Sequence, residues 1–252
     1  MLSSEPSHQP APAGDRSPAE ARLAANLAFA SRMLSLDGHD DLNQGQVSAR
    51  LPRAERVLIK QALRGFNEAG PEDMIWELAD PAAPASRDAP PELPLHRAIY
   101  AARPDVNAIV HSHAPYTLVF GATEMELQPL SHDGAYFEGI PRFTQTSHTV
   151  LHLETGQAIA QCLGDRSAVF LRNHGGVVVG RSIREAAVAA QILERACRLQ
   201  LMAVQAGVKY HVSRADDIAR KRSFIYSETS VKSYWDYLVR LVKARWPEAA
   251  PW

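Results

Sequence analysis

Residues 107–117 read NAIVHSHAPYT: an apolar run that ends on His111 and His113 and gives way to Ala-Pro. This pattern predicts a strand that stops where a helix begins. Side chains at i and i+2 of a strand share one face, so His111 and His113 present two imidazoles in the same direction. A second apolar run, AVFLRNHGG at 168–176, closes on His174 in the same way. Three neutral ring nitrogens from two strand ends are the kind of set that holds Zn, Mn or Fe with a position left open for a substrate oxygen. Gly175 and Gly176 leave room for close backbone approach beside His174. By spacing alone two readings stay open, a metal site and a group of hydrogen-bonded core histidines.

Working outward from these runs, Ser17, Pro18 and Glu20 predict a capped helix start, with its apolar stripe running to a helix end near Gly38. The segments GQVSARL (45–51), RVLIKQAL (56–63) and MIWELAD (74–80) predict strands, the last preceded by a turn-to-helix start at Pro71, Glu72 and Asp73. The loop AAPASRDAPP (82–91) delivers Glu92 to a helix that accepts Pro94 in its first turn and carries His96, Ile99 and Tyr100. A helix through Tyr116 and Phe120 is expected after the HxH, followed by the loop SHDGAYFEG (131–139). Thr155 is expected to cap a further helix, AVFLRN and GVVVG to form strands, and Ser182 with Glu185 to form a capping box on a long helix ending near Gly207. The tail from Phe224 to Arg245 reads as helical and carries Tyr226, Tyr234, Trp235 and Tyr237. Strands and helices alternate irregularly, which predicts a layered α/β or α+β unit around one sheet.

Residues 1–16 mix Ser, Pro, Ala and charge without apolar periodicity and are expected to be a disordered tail, with a single domain over 17–252. With 27 Lys and Arg against 28 Asp and Glu, the chain lacks the basic excess that nucleic acid or an anionic membrane requires. No apolar run reaches membrane-span length, and the expected location is the cytoplasm. Two cysteines, Cys162 and Cys197, are too few for a disulfide framework and are expected to be inert thiols.

Four segments in order, QVSARLP, LIKQALRGFNEAGPEDMIW, ELPLHRAIYAARPDVNAIVHSHAPYT and AVFLRNHGGVVVGRSIREAA, resemble the class II aldolase/adducin family, from about Ala19 to Arg245. The resemblance implies a three-layer α/β/α fold with a central, mainly antiparallel sheet, assembled as a homotetramer with active sites between subunits. It also implies that His111, His113 and His174 are metal ligands. Glu92 matches the acidic residue that completes the metal shell and acts as a base, beside its plainer reading as an anion at a helix start. The implied cofactor is a divalent ion, zinc first, with manganese or iron as alternatives. The implied chemistry stores the charge left by carbon–carbon cleavage as an enolate, and the same apparatus serves aldol cleavage, epimerisation and decarboxylation.

Two departures bear on the substrate. Phosphate-binding members place small hydroxyl residues and glycines where this chain has HDDLNQGQ (39–46), and a serine pair where it has Pro90 and Pro91. Proline offers neither N–H nor hydroxyl to a phosphate, and Asp40 and Asp41 would repel one. Lys60 and Arg64 remain as anion contacts or as ordinary solvated bases. Next, the tyrosine that accompanies a histidine after the HxH helix in fuculose-phosphate aldolase-like chains is replaced: His132 is followed by Asp133. Tyr136 is a substitute donor or a packing tyrosine, and His132 with Asp133 is a proton relay or a turn. The expected function is therefore a metal-dependent lyase, aldolase or decarboxylase, on a small unphosphorylated hydroxy-carbonyl or hydroxy-acid substrate. The alternatives are a ferrous oxygenase and an adducin-like interaction module, a branch that lacks the histidines. Tyr234 and Trp235 either cover a neighbouring subunit's site or belong to a core or interface stripe.

Overall fold

Alternation along the strands explains why helices cover both faces of one sheet. In the strand Ala108–Ser112 (β4), Ala108 and Val110 face one apolar cluster while Ile109 faces another. The strands Ala168–Leu171 (β6) and Gly175–Gly180 (β7) divide in the same way: Phe170 and Val178 lie on one side, and Val169, Leu171, Val177 and Val179 on the other. With both faces apolar, neither can be left to water, and each packs under a helical layer.

The computed structural model describes residues 16–252 apart from Arg53 and Glu138. The segment read as a disordered tail lies outside the described residues except for Arg16, whose guanidinium donates to the carbonyls of Pro71 (2.8 Å) and Met74. The remaining strands are Gln46–Ala49 (β1), Arg56–Lys60 (β2), Met74–Leu78 (β3) and Arg142–Phe143 (β5), and the sheet order is β3-β2-β1-β4-β7-β6-β5. Every pairing is antiparallel except that of β5 with β6. The fold is thus the expected mainly antiparallel sheet between helices. One face is covered by Pro18–Leu36 (α1), Ile183–Gln205 (α5) and Glu228–Arg245 (α7), the other by Leu93–Ala102 (α2) and Leu153–Leu163 (α4). Two further α-helices among the described residues are Pro115–Gly121 (α3) and Ala215–Ile225 (α6).

The start of α1 is the predicted capping box: Glu20 N–H donates to Ser17 Oγ, and Glu20 Oε2 accepts from Ser17 N–H at 2.9 Å. At α5 only half of the box forms. Ser182 Oγ accepts from Glu185 N–H, while the Glu185 carboxylate turns back to Arg181 N–H at 2.9 Å. One expectation is corrected: Thr155 does not cap α4, which begins at Leu153 with His152 ahead of it and no side-chain cap. The tail is helical but not continuously so: the backbone breaks at Tyr226 and Ser227, between α6 and α7, and Ser227 Oγ caps α7 by accepting from Ser230 N–H. Strand β5 was not anticipated, because two residues are too few to show a period of two.

The approach to Glu92 is fixed by a buried ion pair. Glu77 on β3 and Arg97 on α2 meet at 3.1 Å, with side chains 3% and 5% exposed. The same guanidinium nitrogen, Nη2, also donates to the Pro84 carbonyl, Nε and Nη1 donate to those of Leu78 and Ala83, and Glu77 also accepts from Ser86 N–H. Loop 79–91 is thereby tied to the helix that Glu92 starts. Removing one partner of a buried pair strands the other charge, which costs about 3–5 kcal/mol. Glu77→Ala should therefore lower unfolding stability by that order in urea titration, whereas a loss below about 1 kcal/mol would show that the pair is not the tie.

Candidate metal centre

Strand pairing brings the three histidines together. β4 runs beside β7 with His111 opposite Val177 and Ser112 opposite Gly176, so the end of β4 lies against the turn that precedes β7. In that turn Asn173 adopts a left-handed conformation (φ 54°), which asparagine tolerates better than most residues. Gly175 follows at φ 158°, and a Cβ there would stand 2.4 Å from the Ser112 carbonyl oxygen and 3.0 Å from the His113 ring. Only glycine permits this approach, which is why the sequence reads NHGG at this point. The three imidazoles form a near-equilateral triangle, with ring centroids 5.0–5.1 Å apart.

Glu92, the residue before α2, supplies a fourth group. One carboxylate oxygen lies 3.0 Å from His111 Nε2 and the other 3.3 Å from His174 Nε2. Val150 N–H donates to Glu92 Oε1 at 3.0 Å, and Gln46, opposite His111 on β1, extends its amide to Oε2 at 3.4 Å. Burial alone would raise the Glu92 carboxyl. The adjacent His111 charge and the hydrogen bonds from His111, His174 and Val150 outweigh it and hold the carboxyl far below the usual carboxylate range. Burial pulls His111 down, but Glu92 and the Gly176 carbonyl raise it overall, whereas burial and the neighbouring imidazoles lower His113.

The tautomers point one way. His111 Nδ1 donates to the Gly176 carbonyl at 3.0 Å, and His113 Nδ1 meets Asp41 Oδ2 at 2.7 Å. Such bonds direct the Nε2 atoms inward: that of His113 is buried without a hydrogen-bond partner, and that of His111 faces the Glu92 carboxylate at 3.0 Å. The ligand atoms of Glu92, His111, His113 and His174 all lie within 4.8 Å of one another. Three imidazole nitrogens converging on one carboxylate match the donor set of a divalent ion with bonds of about 2.1 Å.

Several residues around this cluster were not singled out as functional from the sequence. Asp41, read only as a repeller of phosphate, orients His113. Beneath the site Ser48 Oγ bonds His96 Nδ1 at 2.7 Å and Tyr100 OH at 2.8 Å, and burial pushes His96 down to about 3. His39 Nδ1 meets Ser112 Oγ at 2.8 Å, and burial takes that imidazole to about 3 as well. The histidine and serine types alone carried no signal for these contacts, since they depend on which strand faces which helix.

His132, Asp133 and Tyr136 are not brought to the cluster within one chain. His132 and Asp133 line a cleft of about 370 Å³ with Asp37, Arg195, Tyr226 and Tyr234. Asp133 pairs with Arg195 at 3.2 Å, and among the described residues no hydrogen bond joins it to His132. Tyr136 stacks edge-on against Phe137 and Tyr226, with centroids 4.8 Å apart. Tyr234 lines the same cleft, whereas Trp235 is in the core. The two bases left open as anion contacts have internal partners: Lys60 is buried and donates to the carbonyls of Gln61 and Arg64, and Arg64 pairs with Asp73 at 3.0 Å.

Residues 25–201 match the family described as Class II Aldolase and Adducin N-terminal domain. The chain is similar to Decarboxylase NovR of Streptomyces niveus, with 38% identity over 114 residues, 45% of this chain and 42% of that one. It is equally similar to a protein of Streptomyces roseochromogenus subsp. oscitans named 4-hydroxy-3-prenylphenylpyruvate oxygenase/4-hydroxy-3-prenylbenzoate synthase, with 38% identity over 114 residues, 45% and 41% of the two chains. The matches thus span 42% and 41% of the lengths of these relatives. Among solved structures, an aldolase II superfamily protein from Pseudomonas syringae superposes with a TM-score of 0.80 at 26% identity, over 92% of this chain and 96% of the other.

Two outcomes follow from this geometry. Asp41→Ala should weaken zinc binding by about 10–100-fold in a competition titration, the usual consequence of losing a ligand's hydrogen-bond partner; unchanged affinity would mean that Asp41 does not orient His113. Gly175→Ala should abolish zinc binding and lower the Tm, because its Cβ would meet the Ser112 backbone, and retention of both would contradict the close approach.

Proposed function

Because the chain belongs to the class II aldolase/adducin family, we propose that it is a metal-dependent carbon–carbon lyase, of aldolase or decarboxylase type, acting on a small unphosphorylated hydroxy-carbonyl or hydroxy-acid substrate. The observation that carries this reading is the convergence of ligand atoms of His111, His113 and His174 with the Glu92 carboxylate, all within 4.8 Å of one another. His111, His113, His174 and Glu92 would hold the ion, zinc first, with manganese or iron able to use the same donors. A divalent ion there supplies a Lewis acid that stabilises negative charge on substrate oxygens as the carbon–carbon bond breaks.

The protein's own groups set the conditions for that step. Glu92 is 3% exposed and anchored by the Val150 N–H beside His111 and His174, which positions its carboxylate to act as the base toward a substrate bound at the cluster. His111 is fully buried, and the apolar strands beneath it keep water from one side of the cluster, which strengthens every charge interaction there. The proposed homotetramer, with active sites between subunits, would let His132, Asp133 and Tyr136 serve a neighbouring copy's cluster as proton donors. A phosphorylated substrate is disfavoured by Pro90 and Pro91 ahead of Glu92 and by the burial of Lys60, whose ammonium donates to the Gln61 and Arg64 carbonyls. No helix among the described residues is long and apolar enough to cross a membrane, and the cytoplasm is the proposed location.

The relative named as an oxygenase favours a second reading, a ferrous oxygenase built on the same three histidines. An adducin-like module without catalysis is disfavoured by the complete ligand set. His111→Ala should lose most bound metal and all turnover, whereas Glu92→Gln should keep the metal while kcat falls by about 10²-fold or more. Metal content and CO2 or aldehyde release, recorded in parallel over unphosphorylated hydroxy acids and aldols, check both. Iron-dependent oxygen uptake in the absence of any carbon–carbon cleavage would replace the lyase with the oxygenase.

A further inference from the structure

At the end of β4 and β7 opposite the histidines, a cavity of about 450 Å³ lies between α1, α5 and α7. Its walls carry Arg22, Arg50, Arg181, Arg184 and Lys232 against one acid, Asp236. In a chain whose formal net charge is -1, this is a local concentration of positive charge that the total conceals. The volume falls within the range of small-molecule sites, about 300–1,000 Å³. Asn107 also lines the cavity and precedes His111 by four residues, about 13 Å of extended strand, so the cavity is separate from the candidate metal centre.

Three of the five cations are engaged. Arg50 donates to the carbonyls of Val106 and Arg103 and lies over the Tyr100 ring, Arg181 pairs with Glu185 at 3.3 Å, and Lys232 pairs with Asp236. The guanidinium groups of Arg22 and Arg184 have no hydrogen bond, ion pair or ring contact among the described residues, although Arg184 is half-buried. Arg184 also stands in the first turn of the 23-residue helix α5, and Ser182 and Ile183 beside it line the same wall. The positive end of that helix therefore adds to the two unpaired cations. Glu185, in the same turn, is held by Arg181 and lines an adjoining cavity with Glu228.

An acceptor is left over as well. Asn107 Nδ2 donates to the Arg181 carbonyl at 3.2 Å, which fixes the amide, and Oδ1 is buried without a hydrogen-bond partner. An unpaired acceptor beside unpaired cations fits a ligand that has both an anionic group and a hydroxyl. Two guanidinium forks on different helices offer more donors than the two oxygens of one carboxylate accept, whereas the three terminal oxygens of a phosphate match them.

We propose that this cavity is a second ligand site, in which Arg22, Arg184 and the start of α5 hold the phosphate of a small phosphorylated hydroxy compound and Asn107 Oδ1 accepts from its hydroxyl. It stands apart from the histidine cluster and does not depend on the lyase reading.

Calorimetry on the zinc-loaded protein in about 0.15 M salt, where loose charge attraction is screened, tests this with ribose 5-phosphate, ribose and inorganic phosphate. Ribose 5-phosphate should bind at one site more tightly than inorganic phosphate, and ribose should not bind. In Arg22→Gln/Arg184→Gln the Kd of ribose 5-phosphate should rise about tenfold or more, with Tm unchanged because neither guanidinium has an internal partner. Asn107→Ala should remove the preference over inorganic phosphate, and His111→Ala should leave all three results as in the parent. Absence of saturable binding by either phosphate probe overturns the proposal. So does binding that survives in the double variant, or that is lost with His111→Ala, since the anion then sits elsewhere or on the metal. An oligomer that dissociates in the double variant, with no phosphate bound in the parent, would assign the cations to a second copy of the chain instead.

Discussion

The contact between the end of β4 and the turn into β7 is the constraint on which the candidate centre depends. Gly175 sits where any Cβ would strike the Ser112 carbonyl, and this closeness sets His174 beside His111 and His113. The same pairing gives His111 its tautomer, because the Gly176 carbonyl that accepts from Nδ1 belongs to the opposing strand. Ladder, close approach and ligand orientation are therefore one feature. A chain that failed to pair these strands in this register would turn His111 toward the wrong layer.

Around that contact the protein spends polar groups in places where burial is costly. Glu92, His96, His111, Ser48 and Gln46 are all buried on the face under α2, and His39 and Ser112 are buried on the other face. Most have partners: Ser48 serves His96 and Tyr100, and Glu92 draws on Val150 and Gln46. The Nε2 atoms of His111 and His113 converge with Glu92 and His174, where a cation would complete the set. A metal-binding role accounts for that convergence, since His39 and His96, whose Nε2 atoms are also buried without a hydrogen-bond partner, do not belong to the group of ligand atoms within 4.8 Å of one another.

Much of this was legible in the sequence because its signals are local. The HxH at a strand end, the NHGG turn, the Ser17 cap and the alternation of β4, β6 and β7 each fit within a few residues. What stayed hidden was either too short or too distant. β5 has two residues and no period to read. The break at Tyr226 and Ser227 is marked only by a serine cap within a sequence that otherwise continues helical. Asp41 is 72 positions from the histidine it orients, and in the sequence it showed only its charge. His132 and Asp133 were grouped with the centre by resemblance, and within one chain they line a cleft with Arg195 and Tyr226 instead. Residue type and order suggested the ligands, but only tertiary contacts reveal what supports them.

The central claim is that His111, His113, His174 and Glu92 hold one divalent ion. Anomalous diffraction from zinc-soaked crystals, collected on both sides of the zinc absorption edge, tests it most directly. The account predicts a single strong peak bonded by the Nε2 atoms of the three histidines and a Glu92 oxygen. A triangle of imidazoles without a peak, or a peak held by other residues, would contradict it.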